Sequence, residues 1–172
     1  MTNTRDKLNE AKFFLEEMKR VSLDVDKFRY MFTAFLAASR SITQIMQKEY
    51  SGIDGFKEWY AKKQEEMKNN GDLKYLLRQR NISSHIRPIL PRPIRAIDHL
   101  TTGDEMTVVI TGTGNINNLV KAVVYTPPIK ETISTTYYFE DMLEKGKDVV
   151  TVCQEALKAI ENIVNECENR VG

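Results

Sequence analysis

Apolar side chains recur every three or four residues over most of the chain, and this spacing predicts amphipathic helices. Five segments show it. The first follows a cap at Asn3 or Thr4, and the others cover about 24–50, 54–69, 72 to the prolines that begin at Pro88, and 137–169. The second segment has the widest apolar stripe, so we expect it to lie at the centre of the fold.

The apolar period changes from about 3.6 residues to two between the fourth and fifth helical segments. Alternate residues point to opposite faces from Met106 to Ile110, and a second apolar run covers 120–125 after a Gly- and Asn-rich turn in Gly112–Asn118. The predicted fold is therefore mainly α, an antiparallel bundle of about five helices. It forms a single domain over residues 1–172, with a β-hairpin insertion at about 104–126.

Composition and charge narrow the class of protein. The 25 basic and 24 acidic residues leave a net charge of +1, so any site for a polyanion must be a local cluster. Cys153 and Cys167 both fall on the apolar stripe of the last helix, as small core residues do. We expect a cytoplasmic protein with neither a signal peptide nor a membrane span, and with no metal or other cofactor.

The fourth predicted helix changes character along its length. Its apolar stripe continues into polar residues over the last two turns, where unpaired burial would be costly. On a helical wheel the face holds Leu73, Leu76, Leu77, Arg80 and Ser84, with Asn81 and His85 at its edge. These polar groups are expected either to pair inside the fold as a structural network or to line a cleft or an interface.

The surroundings of this helix are basic. The 25 residues from Leu73 to Ile97 contain six cations and no acid, which is a local field that attracts phosphate groups. The alternative is a solvated basic face balanced by acids elsewhere in the fold. The six cations are Lys74, Arg78, Arg80, Arg87, Arg92 and Arg95.

The segment from Arg80 to His85 resembles the R-x4-6-H motif of the HEPN superfamily, including the polar residue that follows the arginine. The helical layout, with the motif late on an inner helix and a long final helix, is similar as well. The resemblance implies a cytoplasmic homodimer that acts on RNA as a metal-independent ribonuclease in a toxin–antitoxin or phage-defence setting. It also points to an antitoxin or a nucleotidyltransferase-type protein as a further partner.

The resemblance implies a role for each motif residue. His85 would move a proton to or from the ribose 2′-OH and the leaving 5′-oxygen, and Arg80 would stabilise the charge on phosphorus. Asn81 and Ser84 would support them, by orienting the imidazole and binding phosphate. Further RNA contacts are predicted for Lys74, Arg78, Arg87 and Arg92.

Three alternatives stay open at this point. The same fold could serve as a non-catalytic module that binds RNA, a nucleotide or a partner protein. Arg40, within an apolar stretch of the second helix, is either a paired structural arginine or a second cation of the site. Trp59 and Tyr60 either stack on a base or, at helical spacing beside Phe56, pack in the core.

Overall fold

The computed structural model describes residues 2–86, 88–101, 108–110, 121–123, 130–139 and 147–171. Within these ranges the chain is mainly helical, with five helices and four short or medium strands. The helices are α1 (Asn3–Arg20), α2 (Val25–Tyr50), α3 (Phe56–Asn69), α4 (Gly71–His85) and α5 (Val149–Val171). The strands are β1 (Arg92–Thr101), β2 (Val108–Ile110), β3 (Lys121–Val123) and β4 (Lys130–Tyr138).

The chain divides into two compact units. One comprises Met1–Ile94 with Thr136–Gly172 and contains all five helices, and the other comprises Arg95–Thr135. The second unit includes the segment that the alternating pattern predicts as a hairpin insertion.

The predicted hairpin is confirmed where the structure describes it. Strands β2 and β3 pair antiparallel, with Val108 opposite Val123 and Ile110 opposite Lys121. The predicted turn at 112–118 lies outside the described residues. A second pair, β1 with β4, was not predicted from the sequence.

The core of the helical unit is built around α2, as its wide apolar stripe predicts. Helix α1 packs along α2, and both also contact α5. Cys153 and Cys167 are buried and reduced on the inner face of α5, as expected of core residues. The buried residues of α2 include Phe28, Phe32, Phe35, Leu36, Ile42 and Met46.

Short polar side chains set the helix starts, in two cases one or two residues earlier than predicted. Thr2, and not Asn3 or Thr4, caps α1 by accepting a hydrogen bond from the backbone N–H of Arg5. Asn70, and not Asp72, caps α4. An unpaired N–H at a helix start can donate to any of several nearby side-chain oxygens, so the sequence alone locates the start only to within a turn.

The last helix begins twelve residues later than the predicted start at Tyr137, which is therefore wrong. Tyr137 and Tyr138 end β4, and α5 starts at Val149 behind Asp148, whose carboxylate accepts a 3.0 Å hydrogen bond from the Thr151 N–H. The burial along β4 alternates, with Thr135, Tyr137 and Phe139 buried and the residues between them half-buried. That period of two marks a strand, and the β-branched and aromatic residues of this segment favour one. Residues 140–146 lie outside the described part of the chain.

A polar cluster ties the start of α1 to the end of α5. Arg5 donates from Nε to Glu168 at 3.1 Å and from Nη2 to the Asn165 side chain at 2.8 Å. The Thr2 hydroxyl donates to the other Glu168 oxygen at 2.8 Å. These hydrogen bonds, with that of Arg5 foremost, lower the pKa of Glu168.

We expect Glu168→Gln to destabilise the protein at neutral pH by about 1 kcal/mol, since it replaces a partly buried, charge-assisted pair with a weaker contact. The pKa of Glu168 is lower in the folded protein than in the unfolded chain. The carboxylate therefore contributes fully to stability at pH values above the unfolded-state pKa. This contribution is lost as the pH falls through the folded-state pKa. Urea unfolding at pH 7 and pH 3 should show the difference between wild type and variant shrinking. Glu155→Gln, at an exposed site on the same helix, is the control, and a difference that stays constant across this range would contradict the prediction.

Candidate functional site

Helix α4 carries the predicted motif, but its buried face is rotated from the one that the helical wheel suggested. Leu76 and Gln79 are buried, whereas Leu77 is 46% exposed and Asn81 is exposed. Leu77 is therefore not buried in the core, and Asn81, which the wheel placed at the edge of the inner face, lies outside it. Apolar and polar residues are mixed around this short helix, so its own sequence defines the inner face poorly and the packing against α2, α3 and α5 decides it.

Arg80 is half-buried near the middle of the last two turns of α4. Its Nη1 donates to the Oδ1 of Asn81 at 3.3 Å. None of the described carboxylates forms an ion pair with it. A half-buried guanidinium without a carboxylate retains most of its attraction for an anion.

His85 is the last residue of α4, and its side chain is exposed. Within the described ranges its imidazole makes no hydrogen bond or ion pair, so it does not belong to a buried polar network that holds the helix. As far as the described residues go, both ring nitrogens of His85 are thus accessible to a ligand.

The other predicted residues are only partly placed. Lys74 and Arg78 are exposed on α4 and form no ion pair with any residue in the described part of the chain. Arg92 is exposed at the start of β1. Arg87 lies outside the described residues, as does the side chain of Ser84.

The single acid of α4 is already neutralised. Asp72 accepts a 2.6 Å contact from Lys147 Nζ, and both side chains are less than half exposed. The remainder of the helix therefore presents its positive charges without an acid of its own.

Helices α2, α3, α4 and α5 enclose a cleft of about 540 Å³, and Arg80 reaches it from α4. Arg40 reaches the same cleft from α2, where its Nη1 lies 3.5 Å from the Thr43 hydroxyl. No described carboxylate pairs with Arg40, so the structure favours the second cation of the site over a structural ion pair. The lining is formed by Leu36, Ser39, Arg40, Thr43, Tyr60, Gln64, Met67, Lys68, Leu73, Lys74, Leu76, Leu77, Arg80 and Ile160.

Trp59 and Tyr60 on α3 contribute mainly to the packing of the core. Tyr60 is buried and its ring stacks on Phe56, with centroids 5.5 Å apart and planes 8° apart. Burial raises the pKa of the Tyr60 hydroxyl, against the smaller opposing effects of the nearby Thr43, Arg40 and Gln64 side chains at the cleft. Trp59 is half-buried beside it, with the Arg170 guanidinium 5.8 Å from its ring.

The cleft itself was missed from the sequence. Three of its polar wall residues, Ser39, Arg40 and Thr43, follow Leu36 at spacings of three and four, so they share one face of α2. That mixed stripe on an otherwise apolar helix is the signal that could have located it.

Membrane-spanning and metal-binding features are both lacking in the described ranges. None of their helices combines the length and the hydrophobicity that a membrane crossing requires. Nor do these residues contain three or more His, Cys, Asp or Glu side chains grouped closely enough to hold a metal ion.

Comparison with known proteins gives one match. Residues 1–85 match the family described as bacteriophage lambda protein ea47, a span just short of half the chain. It covers α1 to α4 and ends at His85. No curated protein and no solved structure matches the chain.

Proposed function

We propose that this protein binds RNA and cleaves it without a metal, by attack of the ribose 2′-OH on the adjacent phosphate, with Arg80 and His85 as catalytic residues. The proposal rests on one observation: among the described residues, His85 is exposed and unbonded and Arg80 has no carboxylate partner. Both groups are therefore available to an RNA phosphate or ribose.

The chemistry follows from the two groups. An imidazole can take the proton from the 2′-OH and return one to the leaving 5′-oxygen. A guanidinium presents forked donors to the negative charge that develops on the phosphoryl oxygens. The products would be a 2′,3′-cyclic phosphate and a free 5′-hydroxyl, and the bond changes need no further reactant.

Two protomers are needed to complete this site. His85 follows Arg80 by five positions, which is about 140° around a helix, so the two side chains of one helix diverge. A two-fold axis beside the end of α4 would bring Arg80 of one protomer towards His85 of the other. Apolar surface for such a homodimer is present on the same unit, since Leu77, Ile86 and Leu90 are 46%, 74% and 68% exposed.

The family match supports a phage–host setting for this activity, because its description names a bacteriophage protein. Such a setting agrees with the toxin–antitoxin or phage-defence role that the motif implies. An antitoxin or a nucleotidyltransferase-type protein would then be the partner that restrains the ribonuclease in the cytoplasm.

A non-catalytic form of the same function is the second candidate, and one contact favours it. Asn81 bonds to Arg80 and not to His85, so the amide does not orient the imidazole as a general base would require. In that case the basic face of α4 would hold RNA, a nucleotide or a partner protein without cleaving anything.

The test is an incubation of the purified protein with a mixed RNA pool in EDTA. We expect cleavage that survives chelation and leaves 2′,3′-cyclic ends, detected by end-specific ligation. RNA that is retained on the protein but left intact would select the non-catalytic form. If the protein neither cleaves nor retains RNA, the ribonuclease proposal and an RNA-binding module are both overturned, and only a module for a nucleotide or a partner protein is left.

A further inference from the structure

We propose that the cleft between α2, α3, α4 and α5 binds a small amphipathic anion, namely an aliphatic chain that ends in one negatively charged group. The apolar chain would lie along the leucine-rich wall, and the charged group would contact Arg40 and Arg80. This site is distinct from the proposed cleavage chemistry, although Arg80 contributes to both.

Unneutralised positive charge at the cleft supports the charged end of this ligand. Four cations line the cleft, and none of its described lining residues carries a carboxylate. Only Lys68 has an acidic partner among the described residues, an exposed Glu65 at 2.5 Å from its Nζ. Arg40, Lys74 and Arg80 have none there. Charge-assisted hydrogen bonds from arginines to an anionic group are about twice as strong as neutral ones.

A buried hydroxyl adds a second, independent observation. Ser39 is 7% exposed and lines the cleft, and its Oγ has no hydrogen-bond partner among the described residues. A buried hydroxyl left without a partner costs free energy, which a ligand oxygen would recover once rotation about χ1 turns the Oγ into the cleft. Ser39 is adjacent to Arg40 and one turn before Thr43, and all three residues line the cleft.

The remainder of the wall suits an aliphatic chain. It consists mainly of aliphatic and thioether side chains, and a cavity of this size falls in the range of about 300–1,000 Å³ that small-molecule sites occupy. These apolar residues are Leu36, Met67, Leu73, Leu76, Leu77 and Ile160. Met67, Leu73 and Leu77 retain exposed surface, and covering it with hydrocarbon would remove apolar surface from water, which favours binding.

The aromatic content argues against a flat base in this cleft. Tyr60 is the single aromatic residue among the described lining residues. One face of its ring is already stacked on Phe56. A base would thus find little ring surface to stack on, whereas an aliphatic chain needs none.

Isothermal titration of the full chain with decanoate, below the concentration at which it forms micelles, tests the proposal. We expect saturable binding, with acetate and 1-decanol at least about tenfold weaker, because each lacks one of the two features that the cleft recognises. Arg40→Gln should weaken decanoate binding by about tenfold, the effect of removing one charge-assisted contact. Gln64→Trp should abolish it by filling the cleft from an exposed position on α3.

Lys48→Gln is the matched control, since it removes one positive charge from an exposed site on α2 outside the cleft. It should bind decanoate as the wild type does. Absence of saturable binding, equal binding of acetate or 1-decanol, or wild-type affinity in Arg40→Gln would each overturn the proposal. Decanoate binding at the cleft and RNA cleavage in EDTA are separate measurements, so failure of one proposal is distinguishable from failure of the other.

Discussion

His85→Ala is expected to lower the rate of RNA cleavage by about 10²–10⁴-fold, the range over which a positioned acid–base group acts. Arg80→Ala should lower it by about 10²–10³-fold, as loss of a donor to transition-state charge does. His85 is exposed and Arg80 is half-buried without an ion pair among the described residues, so neither change should unfold the protein. Single-turnover cleavage of one labelled RNA in EDTA measures both effects, with circular dichroism to verify folding.

Arg78→Ala is the matched control on the same helix. Arg78 is exposed and lies two residues before Arg80, outside the cleft. Removing a phosphate contact should weaken RNA binding and reduce its salt dependence, while the single-turnover rate at saturating protein stays near the wild-type value. Unchanged single-turnover rates in His85→Ala or Arg80→Ala would refute the assignment of that residue.

Mixing the two inactive variants tests the shared site directly. A heterodimer of Arg80→Ala and His85→Ala contains one site with both wild-type residues if each site combines two protomers. With random exchange, an equimolar mixture should recover about a quarter of wild-type activity, because half of the dimers would carry one of two sites. If Arg80 and His85 act within one protomer, no activity should return.

Tyr137→Ala should destabilise the fold by about 3–5 kcal/mol, the usual cost of removing a large buried aromatic ring. Tyr137 is 1% exposed and stacks on Phe28, with centroids 3.6 Å apart and planes 8° apart. Its hydroxyl donates a 2.9 Å hydrogen bond to the Ser22 carbonyl, between α1 and α2. The end of β4 is thus part of the core of the helical unit, and the midpoint of urea unfolding should fall sharply.

Two substitutions separate the ring from its hydroxyl and from surface effects. Tyr137→Phe keeps the stack and loses the bond to Ser22, so we expect a loss of about 1 kcal/mol. Tyr30→Ala removes a tyrosine that is 57% exposed on α2 and should change the free energy of unfolding by less than about 1 kcal/mol. A cost for Tyr137→Ala no larger than that of Tyr30→Ala would contradict this view of β4.

The helices were predictable where the apolar period is strong. Helix α2 begins at Val25 behind Asp24 and ends at Tyr50, as its wide stripe and the following Ser51-Gly52 indicate. Helix α4 was located, but its inner face was not, since mixed apolar and polar residues let several rotations bury similar areas. The segment before α5 was assigned to the wrong period because Phe139, Met142 and Leu143 extend the helical three-and-four spacing of the sequence towards the strand.

The candidate site, like the helices, was predictable from the sequence only in part. The motif from Arg80 to His85 and its basic, acid-free surroundings are visible in the sequence, because they are local in the chain. The cleft is not, since it combines residues that are far apart in the chain. Ser39 on α2, Gln64 on α3 and Ile160 on α5 meet only after the helices have packed.

Local physical chemistry in the sequence therefore determined the helical class, most helix limits, the β2–β3 hairpin and the chemistry available on α4. Hydrophobic periodicity and capping act over a few residues, so they can be read without knowing the fold. The tertiary structure alone decided which face of α4 is buried, that β4 precedes α5, and that Arg40 and Arg80 share one cleft. Those outcomes depend on packing between distant segments, where the area buried by the whole unit outweighs the preference of any one of them.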